Sequence, residues 1–398
     1  MSQPLRLLTL ATEYPPARGY GLGRYVSELS AALVKAGAEV HVVGMNYAGG
    51  EPVLQAEGVT VHQLTDVDNP RHYDWVSGAI LDNLWLLERA LEVVRAHGPF
   101  DMLMAHDWLG ALAAKSLKTM YELPLVLFMH DTEPGKRANK LTAEQLYIAE
   151  LETWACSHAD AIVANSRFLA GELERFHKVA KEKVKVIPCG VNPKRFETDC
   201  HLPDFRALFA KPDEKLVLYL GRLSPMKGAD LLVEAVPEIL KQGLKARFII
   251  AGEGVLREKL EARARELGVV GQILFAGHLA GKVLGAAYRA ADLVVLPSRY
   301  EPFGMVALEA MSCGTPVAAA DTGGLKEVVS SDGLCRRFAE NDPKALASSV
   351  TAALKRDITK EDRKKLRDRA AGYSWDKTAG AVLGLCRELL VARQEVGA

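Results

Sequence analysis

Short apolar strands alternate with amphipathic helices in this chain, and the alternation runs its course twice. Strands are expected at Leu5 to Ala11, Val40 to Gly44, Met102 to Ala105, Leu125 to Met129 and Ala161 to Ala164, with helices at Arg24 to Ala36 and Leu81 to Arg95. The series restarts with Leu216 to Leu220, a helix over Ala229 to Lys241, Ala246 to Ala251 and a helix over Leu256 to Leu267. Ile273 to Ala276, Leu293 to Leu296 and Pro316 to Ala319 complete it. Strands this short and this uniformly apolar, interleaved with helices, argue for parallel sheets covered on both faces. The fold class is therefore α/β, with two doubly wound domains, and 398 residues are too many for one ordinary core. Pro188 to Lys215 reads as the linker, because Pro188, Gly190, Pro193, Pro203 and Pro212 fall there among mixed charges. Domains are expected at residues 1–190 and 191–370, with 371–398 as a terminal helix. Gly372-Tyr373-Ser374-Trp375 interrupts the charged helical tail, and an exposed Trp375 would be odd, so that helix is expected to pack back toward the first domain.

Composition removes several functions. Lysine plus arginine equals aspartate plus glutamate at 50 each, so no bulk field invites nucleic acid, and none is expected as a partner. Apolar runs such as Leu123 to Met129 and Leu293 to Pro297 are far below the roughly 18 residues of a membrane helix, so no integral membrane segment is expected. Leu7 to Ala11 is too short for a signal peptide and Glu13 follows it. Six cysteines without metal or redox spacing predict reduced thiols and a cytoplasmic location. Cys200-His201 reads as a chance neighbour pair.

Open parallel sheets bind ligands at the carboxyl ends of their strands, and the polar clusters fall there. Glu301 and Glu309 stand eight residues apart around a loop-to-helix junction. Pro302 keeps Glu301 out of helical geometry, while Met305 to Cys313 reads as a buried helix stopped by Gly314 and Pro316. Buried carboxylates need polar partners, and sugar or ribose hydroxyls suit them. The amides of Phe303, Gly304 and Met305 suit an adjacent phosphate. Gly221 to Gly228 supplies Arg222 and Lys227, a fork and a point charge that match a diphosphate. It is not a Walker loop, since no Ser or Thr follows Lys227, and Gly277 to Val283 also fails that template. In the first half, Glu13-Tyr14-Pro15-Pro16 precedes Gly19, Gly21 and Gly23, which let the backbone approach a ligand at a helix start. The spacing is wrong for a dinucleotide, and Val42 to Asn46 offers no ribose-binding acid. His130 follows a buried strand with Glu133 in an expected polar loop beside it, and His106-Asp107-Trp108 ends another strand. No G-x-S-x-G or H-E-x-x-H motif occurs, which removes the commonest hydrolase and zinc-protease readings.

With these residues in hand, the chain resembles the retaining nucleotide-sugar glycosyltransferases of the two-domain GT-B type, in the group holding glycogen synthases, sucrose synthases and mannosyltransferases. The resemblance spans nearly the whole chain. It rests on Gly221 to Gly228, Ala251-Gly252-Glu253-Gly254, Pro297 to Gly304, Glu309 to Val317 and Gly323-Gly324-Leu325-Lys326-Glu327. Glu13 to Pro16 with Gly21 and Gly23, His106-Asp107-Trp108 and His130 to Pro134 look most like the bacterial glucan-synthase and maltose-1-phosphate-synthase branch. The resemblance implies two Rossmann-like domains facing a central cleft, with the acceptor bound by the first and the nucleotide sugar by the second. It implies that Arg222 and Lys227 neutralise the departing diphosphate while Glu309 grips the ribose hydroxyls. Glu301, beside the amides of Phe303, Gly304, Met305 and Val306, holds hydroxyls on the far edge of the donor sugar. His130 sits against that sugar near the reacting carbon, Gly21 and Gly23 close over the phosphates, and the nucleobase lies near Gly277-His278-Leu279. Glu13, Tyr14, Asp107 and Glu133 lie on the acceptor side.

The activity so implied is transfer of an α-glucosyl group from ADP-glucose or UDP-glucose to a glucan or small sugar, without a metal or other cofactor. Sucrose, glucosylglycerate or a glycolipid precursor as product keeps the class and changes the acceptor. A nucleotide-sugar epimerase and a non-catalytic sugar-nucleotide sensor are the rivals from other classes. Two departures bear on the detail: Gly19 to Gly23 lacks the lysine of the longer glycogen synthases, and the shorter chain puts polymer surface sites in doubt.

Overall fold

The computed structural model of the protein describes residues 3–15, 21–46, 49–65, 74–138 and 140–397. It forms two compact units, Met1–Gly190 with Trp375–Ala398 and Val191–Ser374. In chain order the first unit holds β1 (Arg6–Ala11), α1 (Gly21–Lys35), β2 (Glu39–Met45), β3 (Val53–Ala56), β4 (Val59–Leu64), α2 (Trp75–His97) and β5 (Met102–His106). It continues with α3 (Ala111–Tyr121), β6 (Leu125–Met129), α4 (Glu133–Lys136), α5 (Ala143–His158), β7 (Ala161–Ala164), α6 (Arg167–His177) and β8 (Val184–Val186). The sheet order is β3-β4-β2-β1-β5-β6-β7-β8, parallel throughout except for the antiparallel β3–β4 edge. Leu8, Leu10, Val43, Leu103, Leu127 and Ile162 carry the core, packed under helices that include Leu86 of α2.

The second unit holds α7 (Leu202–Ala207), β9 (Lys215–Leu220), α8 (Ala229–Lys241), β10 (Ala246–Ala251), α9 (Arg257–Glu266), β11 (Ile273–Gly277) and α10 (Gly281–Ala290). β12 (Leu293–Leu296), α11 (Met305–Ser312), β13 (Val317–Ala320), α12 (Leu325–Val328), β14 (Arg336–Phe338), α13 (Pro343–Leu354) and α14 (Lys360–Ala371) follow. Its sheet is wholly parallel in the order β11-β10-β9-β12-β13-β14, the doubly wound arrangement of a Rossmann-like domain. Val217, Phe248, Ile250 and Val295 pack against Val236 and Leu346 to make its core.

The final helix, α15 (Trp375–Gly397), belongs to the first unit. Trp375 is buried there, edge-on to Tyr25 at 5.3 Å. The Thr378 hydroxyl donates to the Pro188 carbonyl at 2.8 Å, and Lys35 pairs with Asp376 at 2.7 Å. Among the described residues, no helix is long and apolar enough to cross a membrane.

Strand order reverses direction at β1, which lies between β2 and β5, and at β9, which lies between β10 and β12. The loops leaving neighbouring strands diverge at such a point and open a crevice beyond their carboxyl ends. Each unit therefore has one place where its fold alone favours a ligand.

Candidate functional site

In the second unit the reversal brings together the loop after β9, Gly221 to Gly228, and the loop after β12, Pro297 to Gly304. The backbone does the joining. Met226 O accepts from the amides of Arg299 at 2.8 Å and Tyr300 at 3.3 Å. The Arg299 guanidinium forks onto Asp230 at 2.9 and 2.6 Å and also donates to Pro225 O at 2.6 Å and Asn341 Oδ1 at 2.5 Å. Asp230 is the main reason the Arg299 guanidinium pKa is raised. This clamp places the Lys227 ammonium 2.7 Å from Glu301 Oε2, with both side chains more than three-quarters buried. Loop 221–228 is held from its other side by the turn after β10. Leu223 N donates to Glu253 O at 2.8 Å, and Gly252, at φ 141°, lies so close that a Cβ there would sit 1.9 Å from Gly221 O. Arg222 is exposed, and among the described residues no carboxylate pairs with it. Its carbonyl accepts the hydroxyl of Tyr219 at 3.1 Å, a phenol whose pKa is raised by burial and then by the charges of Glu301 and Asp230.

The pairing of Arg299 with Asp230 could not be read from the motifs, because the two stand 69 positions apart in sequence. Arg299→Lys keeps the charge and loses the fork, so Lys227 loses its support. Misplacement by 1 Å can lose about a hundredfold in rate, and turnover is expected to fall roughly ten- to a hundredfold, as steady-state kinetics would show.

Glu301 sits on the loop and Glu309 one turn into α11, as their spacing around Pro302 predicts. Gly324 N donates to the Glu301 carbonyl at 2.8 Å and fixes that backbone. Glu309 is buried and accepts the Tyr288 hydroxyl at 2.6 Å, while Tyr288 O in turn accepts from Thr315 at 2.6 Å. Phe303 is buried, Gly304 caps the start of α11, and Met305 and Val306 form its first turn, the end where helix amides and dipole favour an anion. His278 follows the edge strand β11, two strands out from β9 and so on the order of 10 Å across the sheet. Arg222, Lys227, Glu301 and the start of α11 thus gather around the reversal, with His278 further along the same sheet end.

In the first unit, Glu13 follows β1 and accepts the amide of Gly23 at 3.3 Å, so the start of α1 at Gly21 is tied to the strand end. Gly19 lies outside the described residues. Tyr14 is buried, and burial, then the charge of Glu57, pushes its phenol up to about 12. His106 ends β5 and His130 follows β6, with His106 Nδ1 and His130 Nε2 3.0 Å apart and the rings nearly parallel. Asp107 accepts the His130 amide at 2.8 Å from a left-handed backbone at φ 53°, which costs a non-glycine residue energy and fixes the loop. The ring of Tyr25 stands edge-on to His130 at 4.6 Å. Burial raises the Asp107 carboxyl well above its usual range, with Asp131 adding to it. It lowers His106 far below the usual imidazole value and His130 to about 4. Both rings are therefore neutral at pH 7. His130, with Nε2 turned to His106, has Nδ1 unpaired among the described residues and able to meet a hydroxyl.

Glu133 departs from the open polar loop expected for it. It begins the one-turn helix α4, is almost fully buried, and pairs with Lys136 and Arg137, each at 3.0 Å. Its amide donates to both oxygens of Glu152, so carboxylate and backbone are both engaged within the unit.

Burial makes the folded His130 ring harder to protonate than the unfolded one. Its folded pKa lies below the unfolded value of about 6.5, so the unfolded chain takes up the proton first as pH falls. Stability is therefore expected to drop between about pH 6.5 and 4, by roughly 3 kcal/mol from this residue. Asp107, shifted upward, works in the opposite direction, so the informative quantity is the difference between parent and His130→Gln. Urea unfolding at pH 7 and pH 4.5 is expected to show a smaller pH loss in the variant.

Comparison with known proteins places these features in a family. Residues 203–372 match the family of glycosyl transferases group 1, and residues 20–195 match glycosyltransferase family 4. An uncharacterized glycosyltransferase of Methanocaldococcus jannaschii is 30% identical over 383 residues, covering 94% of this chain and 96% of that one. A glycogen synthase of Mycobacterium tuberculosis is 31% identical over 364 residues, covering 88% and 86%. Among solved structures, the sucrose-phosphate synthase from Thermosynechococcus elongatus superposes with a TM-score of 0.82 at 24% identity, over 98% of this chain and 100% of that one. The two Rossmann-like sheets, the loops at their reversal points and the full-length likeness together make this chain a member of the group 1 glycosyltransferases of GT-B fold.

Proposed function

We propose that the protein moves an α-glucosyl group, with retention of configuration, from ADP-glucose or UDP-glucose to a glucan or small sugar acceptor. The observation that carries this reading is the Lys227 ammonium held beside Glu301 at the β9/β12 reversal, with Arg222 in the same loop. Two cations and a hydroxyl acceptor so placed match a sugar diphosphate. The likeness to a protein named glycogen synthase supports glucose as the sugar and a glucan as the acceptor.

In this reading the bond from the anomeric carbon to the diphosphate breaks through an oxocarbenium-like state, and the acceptor oxygen bonds to that carbon from the same face. The acceptor's proton passes to the leaving phosphate. Arg222, Lys227 and the first turn of α11 stabilise the charge that develops on the phosphate. Glu301, whose Oε1 has no hydrogen-bond partner among the described residues, orients sugar hydroxyls, and Glu309 takes the ribose. Neutral His130 contacts the donor sugar, and Glu13, Tyr14 and Asp107 line the acceptor side. His278 borders the nucleobase.

The test is a panel of nucleotide sugars with and without acceptors. Release of nucleoside diphosphate only when acceptor is present is the expected result, with ADP-glucose or UDP-glucose as donor. Change of the sugar without net release would make the protein an epimerase, and neither outcome would make it a sensor. Since cations and helix amides do the work a metal does elsewhere, initial rates are expected to be unchanged by excess chelator, and loss of turnover restored by magnesium would refute that point.

A further inference from the structure

A second cluster lies in the first unit, away from the reversal point. His41 of β2 and His62 of β4 are buried, and His97 ends α2. One ring nitrogen from each falls within 4.8 Å of the others. We propose that His41, His62 and His97 bind one divalent transition-metal ion of the zinc class.

Three features support this. The donor set is imidazole alone, which suits zinc, copper or nickel and not the oxygen-seeking magnesium or calcium. His41 Nδ1 faces His62 Nε2 at 2.9 Å, while His41 Nε2 is 3.1 Å from Glu39 Oε1. A carboxylate behind a ligating imidazole is the usual arrangement for fixing the tautomer of a metal ligand. Glu39 is itself anchored by the Arg6 guanidinium at 2.8 and 3.0 Å. Third, the required movement is small. Zinc–nitrogen bonds of about 2.0 to 2.1 Å put tetrahedral ligand atoms about 3.3 to 3.4 Å apart. The His41–His62 pair has to open by a few tenths of an ångström, and exposed His97, at a helix end, can close the rest.

The ion would pin the end of α2 to neighbouring strands β2 and β4. Glu39 and Arg6 begin their strands, so this is the end of the sheet opposite the loops that carry Glu13 and His130. The site has no part in sugar transfer, and its test does not depend on activity.

The experiment is titration of the chelator-stripped, full-length protein with zinc chloride alone, followed by calorimetry, and with cobalt chloride, followed by visible absorption. One equivalent of zinc is expected to bind, with a cobalt d–d band from nitrogen ligation. His62→Gln is expected to abolish both signals. Because a buried substitution can unfold the unit, His97→Ala is the second variant: it is exposed, and it is expected to keep the parent circular dichroism while weakening zinc at least tenfold. No binding by the parent at 100 µM zinc, or undiminished affinity in folded His97→Ala, would overturn the proposal.

Discussion

Lys227→Ala is expected to lower turnover about a hundredfold or more at saturating donor and acceptor, the effect of losing one preorganised charge-stabilising donor worth roughly 3 to 4 kcal/mol. The structure sharpens this expectation, because Lys227 does not wave in solvent. It is fixed by Glu301 at 2.7 Å, and its loop is fixed by the fork of Arg299 on Asp230. Lys227→Arg keeps the charge in a different shape and is expected to fall between alanine and the parent. Glu301→Gln removes the anion beside the ammonium and is expected to impair donor use as well. A double-mutant cycle on the pair would show coupling, since the two groups touch. The readout is initial-rate nucleoside diphosphate release. A rate within about threefold of the parent, less than 1 kcal/mol, would defeat the phosphate assignment.

Gly228→Ala is expected to be nearly as damaging to activity and worse for stability. Gly228 has φ 67°, and a Cβ there would sit 1.9 Å from Pro297 O, a backbone atom with little room to move. The left-handed backbone alone costs a non-glycine residue about 1 kcal/mol or more, and the overlap forces the loops after β9 and β12 apart. Those are the loops that hold Lys227 and Glu301. Gly268→Ala is the control, because φ is 70° there and nothing lies within 4 Å of the added carbon. The control is expected to lower the melting temperature of the second unit only slightly, at about 2 to 4 °C per kcal/mol for a unit this size. Gly228→Ala is expected to lower it several times further and to lose transfer activity. Calorimetry beside the rate assay distinguishes the two causes, and equal behaviour of the two variants would refute the steric account.

The fully buried strands were legible in sequence because burial on both faces leaves continuous apolar runs, whereas the short, partly exposed β8 and β14 were not. Leu125 to Met129 and Ala246 to Ala251 end where the pattern ends. The β3–β4 hairpin was not, since its turn is Glu57-Gly58, both left-handed, and glutamate is an uncommon residue for that conformation. Helix α5 was also missed, although Thr142 and Gln145 form a capping box that sequence could have flagged. Of the candidate site, the loop positions of Glu301, Arg222 and Lys227 and the place of Glu309 one turn into a helix were legible from strand ends and from Pro302. What places them was not. Arg299 with Asp230, Tyr288 with Glu309, and His106 with His130 are contacts between distant segments, and no local period records them.

The first unit owes a helix to the far end of the chain, and Trp375 of that helix touches Tyr25, which in turn touches His130. During synthesis residues 191–374 are therefore fully translated before the earlier-starting unit possesses all its parts. The later unit therefore has its whole sequence while the earlier one still awaits its last helix. Loss of the final two dozen residues, by a premature stop or a protease, would consequently strike the surroundings of His130 and spare the Lys227 loop.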